Sequence, residues 1–109
     1  MKTDDVKRET LYDIGKQNGD WFKMEAFFTG VELVLLIHDF SNMHEDIFGD
    51  DESEVFYVFD SENVEKLISV FHTTDLLASL SEFYDGKMRD KEFFDLCREN
   101  NISFNQNIR

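Results

Sequence analysis

A chain of 109 residues is the size of one domain, and with 24 acids against 11 bases it carries a formal net charge of −13. Direct binding to DNA, RNA or an anionic membrane surface depends on Lys and Arg displacing counterions, so this balance argues against all three. It favours a cationic protein partner, because a field of one sign steers encounter and raises the on-rate.

The remaining composition narrows the setting. A single cysteine, Cys97, rules out an intramolecular disulfide and suits a reducing compartment, so a cytoplasmic location is expected. No apolar h-region follows Met1, so no signal peptide is expected. The longest apolar run, residues 31–40, contains Glu32 and Asp39 and is too short to span a membrane. Twelve Phe supply bulky side chains to a small core. Without proline, the turns fall to Gly, Asn, Asp and Ser.

In chain order, the first half reads as strands. Residues 11–14 begin a weak one, and 16–20 form a turn cluster. Residues 21–29 are an aromatic-rich strand, in which alternation turns one of Trp21 and Phe22 outward. Gly30 breaks it and predicts a hairpin to residues 31–40, whose nearly continuous apolar middle suits a central strand covered on both faces. A polar loop over 41–53 leads to a buried strand over 54–60.

The second half changes period from two to 3.6 residues. Asp60 or Ser61 caps a helix whose apolar stripe is Val64, Leu67, Ile68 and Phe71. Thr73, Thr74 and Asp75 cap a second, with Leu76, Leu77, Leu80, Phe83 and Tyr84 inward and Gly86 as its stop. Asp90 caps a third, burying Phe93, Phe94, Leu96 and Cys97 and stopping at Asn100 and Asn101. Residues 102–104 alternate like a short last strand, leaving 105–109 as a polar tail. The predicted fold is therefore α+β in a single domain over 1–109: an antiparallel sheet of four to five strands, mostly from the N-terminal half, packed on three C-terminal helices.

Charge is unevenly distributed along this plan. No Lys or Arg lies between Lys23 and Lys66, yet that stretch holds Glu25, Glu32, Asp39, Glu45, Asp46, Asp50, Asp51, Glu52, Glu54, Asp60, Glu62 and Glu65. Its densest part surrounds Ile47 and Phe48 with carboxylates. An apolar anchor with a charged rim is the composition of an interface, in which burial supplies affinity and charge supplies orientation. The candidate partner-binding residues are accordingly Asp39, Glu45, Asp46, Phe48, Asp50, Asp51, Glu52 and Glu54. The competing reading is a solvated loop with Ile47 and Phe48 folded back on the core.

Other chemistry finds less support. The acids of the loop could donate oxygen to Ca²⁺, but Gly49 precedes the cluster of Asp50, Asp51, Glu52 and Glu54, and the alternating spacing of an EF-hand loop is absent. His38, His44 and His72 form no zinc pattern with Cys97. There is no glycine-rich phosphate loop and no G-x-S-x-G, and Cys97 lies on a helix's apolar stripe. No cofactor, no metal and no catalytic residue is therefore expected, and the chain reads as a binding protein.

The strand-to-capped-helix segment from Phe56 to Leu67, together with the ending from Phe93 to Phe104 in a small acidic chain, resembles the immunity proteins of bacterial contact-dependent growth inhibition and related polymorphic toxin systems. The resemblance covers about half the chain and assigns no residue by position. It implies a cytoplasmic antitoxin that blocks one cognate toxin domain, often a nuclease, whose substrate demands a cationic surface. The alternatives are an acidic nucleic-acid mimic that inhibits a host restriction or CRISPR nuclease, and an acidic adaptor or regulatory domain.

Overall fold

The structure is a computed structural model that describes residues 7–15, 21–39 and 53–108. In chain order its elements are β1 (Arg8–Gly15), β2 (Trp21–Thr29), β3 (Glu32–Asp39), β4 (Ser53–Phe59), α1 (Ser61–Phe71), α2 (Leu76–Tyr84), α3 (Asp90–Glu99) and β5 (Asn105–Ile108). The strands form one antiparallel sheet in the order β1-β2-β3-β4-β5. The three helices come from the C-terminal half, as expected for this α+β plan.

A two-residue turn sets the register of the central hairpin. Gly30 takes φ 63°, accessible to glycine without strain, and Thr29 pairs with Glu32 across the turn. Every later pair follows from that one: Phe27 opposite Val34, Glu25 opposite Leu36, Lys23 opposite His38. Alternation then sends Met24, Ala26, Leu33 and Leu35 to one face, where they are fully buried with Phe59, Leu67, Leu80 and Phe93. Val34 and Leu36 are buried on the other face, which gives β3 the continuous apolar run read from the sequence.

The helices lock onto the first of these faces through their ends. Asp60 caps α1: its Oδ1 accepts from the Asn63 backbone N–H at 3.0 Å and from Asn63 Nδ2 at 2.8 Å. Asn63, itself buried, uses its Oδ1 to accept the Ser103 N–H at 2.9 Å, so one amide joins the start of α1 to the approach to β5. This inward Asn63 turns Val64 and Leu67 to the core and leaves Ile68 37% exposed, correcting the stripe expected for that helix. Asp75 caps α2, as expected, accepting from Ala78 N–H at 3.2 Å. That helix ends at Tyr84, and Asp85 precedes Gly86 in taking a left-handed conformation.

Two expectations fail near the C-terminus. The N-cap of α3 is Arg89, without a side-chain cap, and Asp90 is the first helical residue. Residues 102–104 form no strand, and the amides of Ile102 and Ser103 are engaged elsewhere. Ile102 N–H donates to Cys97 O at 2.9 Å and Asn101, at φ 57°, to Arg98 O at 3.4 Å, which together close α3 in a Schellman motif. Ser103 N–H goes to Asn63. The strand falls instead in the expected tail, where Asn105–Ile108 pairs with β4. Phe104 anchors that return, its ring 5.1 Å from Phe59, 5.2 Å from Phe94 and 5.4 Å from Tyr57.

Candidate functional site

The candidate site is built around the sheet end where β3 finishes and β4 begins. Asp39 pairs with Ser53 and His38 with Glu54, so the chain leaves the sheet and returns to it at adjacent positions. Of the partner-binding residues expected from the sequence, Asp39 and Glu54 are described. Glu45, Asp46, Phe48, Asp50, Asp51 and Glu52 lie outside the described residues. The two described acids sit on neighbouring strands at the same sheet end but on opposite faces. Asp39 shares the helix-covered face with Leu33 and Leu35, and its charge acts on Tyr12. Glu54 shares the other face with His38.

That second face carries no described helix and is read in rows across the strands. Phe27, Val34 and Leu36 are buried there, with Phe56 and Val58 packed against them. The Arg8 guanidinium lies 4.5 Å from the centre of the Phe27 ring, a cation–π contact that also shields the ring. Beside this apolar group runs a charged network centred on Glu25, whose side chain is only 13% exposed. Arg8 Nη1 lies 3.3 Å from Glu25 Oε1, Lys23 Nζ 3.6 Å from its Oε2, and His38 Nε2 3.5 Å from Oε1. The other imidazole nitrogen, Nδ1, is 3.4 Å from Glu54 Oε2, so His38 bridges two carboxylates on different strands. At the same sheet end as Asp39, on this face, the Trp21 indole donates to Asp13.

Glu25, Lys23, Arg8 and the bridging role of His38 were not singled out from the sequence. The signal that could have found them was the hairpin register: counting outward from Thr29 and Glu32 places Lys23 beside His38 and Glu25 one row away. Arg8 needs the β1 pairing as well, in which it stands opposite Phe27.

The described residues offer little for reaction chemistry. They contain no group of three His, Cys, Asp or Glu side chains placed to hold a metal ion. Burial pushes the Cys97 thiol up to about 12, so it stays neutral near pH 7 and packs as a small hydrophobe. An open groove of about 430 Å³ runs along α1, lined by Glu62, Glu65, Lys66, Ser69, Val70 and Asn100. Lys66 is engaged there, donating to Asn101 O at 2.9 Å. No described helix is long and apolar enough to cross a membrane. No protein-family model, curated protein or solved structure matches the chain.

Proposed function

We propose that this chain is an immunity protein that binds and neutralises a cationic toxin domain, a nuclease, through an acidic interface at the β3–β4 end of the sheet. The observation that carries the reading is the charge pattern: −13 overall, with no Lys or Arg between Lys23 and Lys66. A nuclease must present a positive surface to its substrate, and an acidic protein can occupy or overhang that surface and exclude nucleic acid by charge and bulk. Asp39 and Glu54 bracket the acidic segment, and Glu45, Asp46, Asp50, Asp51 and Glu52 meet Lys and Arg of the toxin with Phe48 as the apolar anchor. Cytoplasmic residence follows from that role, since the toxin must be met where its substrate is.

The test begins with capture of partners by the tagged chain from extracts of its own organism, with low- and high-salt washes and mass-spectrometric identification. A single basic toxin fragment retained at high salt, whose nuclease activity the chain then inhibits, is the expected result. With that fragment in hand, the triple reversal Asp50→Lys, Asp51→Lys and Glu52→Lys should slow association at least about tenfold at low salt and less at high salt. An unchanged rate and salt dependence would remove this segment from the interface. Many weakly held proteins lost together as salt rises would defeat the immunity reading altogether.

A further inference from the structure

Three elements meet at Asp90, the first residue of α3. Its Oδ2 accepts a hydrogen bond from the Tyr12 hydroxyl of β1 at 2.9 Å, across 78 positions of sequence. The Tyr84 hydroxyl, from the last residue of α2, acts on the same carboxyl. Both tyrosines are buried, and Asp90 Oδ1 and the Tyr84 hydroxyl are closed off from solvent. An aspartate in the first turn of a helix ordinarily stays near water and the helix's free amides. Here it turns inward, and the N-cap beside it has no side-chain bond.

The described surroundings offer this carboxyl hydroxyls but no cation. Tyr12 faces it from β1, Tyr57 from β4 and Tyr84 from α2, with Glu92 on its own helix and Asp39 of β3 beyond Tyr12. The neighbouring bases are directed elsewhere. Arg89 donates to Phe83 O at 3.1 Å, and Lys91 lies 3.2 Å from Asp95. Among the described residues no ion pair reaches Asp90.

We propose that the Tyr12–Asp90–Tyr84 cluster is a proton-operated latch between the edge strand β1 and the junction of α2 with α3. When Asp90 takes up a proton, the buried negative charge disappears. The neutral carboxyl still accepts from Tyr12 and gains an O–H that can donate to the Tyr84 hydroxyl. When Asp90 ionises, a desolvated charge sits at the seam with two hydroxyls and no cation among the described residues to offset it, and the seam loosens.

Desolvation is the largest influence and raises the Asp90 pKa, while the hydrogen bond from Tyr12 and the nearby Tyr84 hydroxyl act in the opposite direction. A carboxyl raised in the folded state binds its proton more tightly there than in the unfolded chain. Its stabilisation is thus fully present below the ordinary carboxylate range and is lost as pH rises through the raised value.

The test compares wild type, Asp90→Asn, Tyr12→Phe and Glu92→Gln by amide hydrogen exchange at Tyr12 and Phe93 at pH 3 and pH 8, corrected for intrinsic exchange. Protection in the wild type should fall several-fold more between the two pH values than in Asp90→Asn. Glu92→Gln should behave as the wild type, and Tyr12→Phe should steepen the fall. Carboxyl-carbon NMR of the wild type follows Asp90 directly, and its midpoint should lie above the ordinary range. Equal pH dependence in wild type and Asp90→Asn, its loss in Glu92→Gln, or an unshifted Asp90 titration would each overturn the latch.

Discussion

The two faces of the sheet are built from the same strands, one residue out of step, and they solve burial differently. On the helix-covered face, β2, β3 and β4 contribute Met24, Ala26, Leu33, Leu35 and Phe59 to a core closed by Leu67, Leu80 and Phe93. On the other face, the intervening positions hold a small apolar group beside a network in which Arg8, Lys23 and His38 gather around Glu25. The first face gains its stability from area removed from water, which is non-directional. The second depends on register, because a one-residue slip would scatter the charges that meet at Glu25. A strand pair in this chain therefore carries two separate specifications, one of packing and one of partner.

That contrast can be broken most forcefully in the core. Phe93→Ala should cost about 3–5 kcal/mol in chemical denaturation, because it empties a fully buried site that touches Phe59, Phe83, Tyr84 and Phe94. Phe56→Ala, on the helix-free face and only partly buried, should cost clearly less. Equal losses would mean that the two faces are energetically alike.

A smaller effect is expected at the polar joint. Asn63→Ala should cost about 1–3 kcal/mol, since it strands the Ser103 amide and removes a donor from Asp60. The Asn63 backbone and side-chain donors, in that order, hold the Asp60 carboxyl below its ordinary range. Its stabilisation is present above the unfolded pKa and lost as pH falls through the lowered one, so the variant should show a weaker acid limb in its pH–stability profile.

The smallest effect belongs to the ion network. Glu25→Gln should cost about 1 kcal/mol or less, and the gap to wild type should narrow with added salt. A salt-independent gap would show that Glu25 acts through packing and not through charge.

Much of this architecture was legible in the residues, and the failures share a cause. The strand over 21–29 was read with its observed limits because aromatics and Gly30 mark it locally. The α2 stripe and the Asp75 cap are equally local. By contrast, Asn105, Gln106 and Asn107 have no apolar alternation and form a strand only because β4 offers its edge. Asp90 looks like a cap until Tyr12 arrives from 78 positions away. Ile68 fits the apolar period of α1, but the buried amide of Asn63 rotates that helix's inward face. Of the candidate site, the acidic segment was visible as composition. The Glu25 network was hidden because it exists only once three strands are in register.

The pairing of β1 with β2 skips one position: Thr10 stands opposite Glu25 and Tyr12 opposite Met24, so Leu11 has no counterpart. Leu11 and Tyr12 consequently both enter the core, at 1% and 2% exposure. Thr10 and Tyr12 would still point to opposite faces if Leu11 were deleted, so the odd residue absorbs its own length. The strand's first segment is therefore insulated from a shift of register, and a one-codon loss at this point would remove a leucine side chain without inverting the inside and outside of the rest of the sheet.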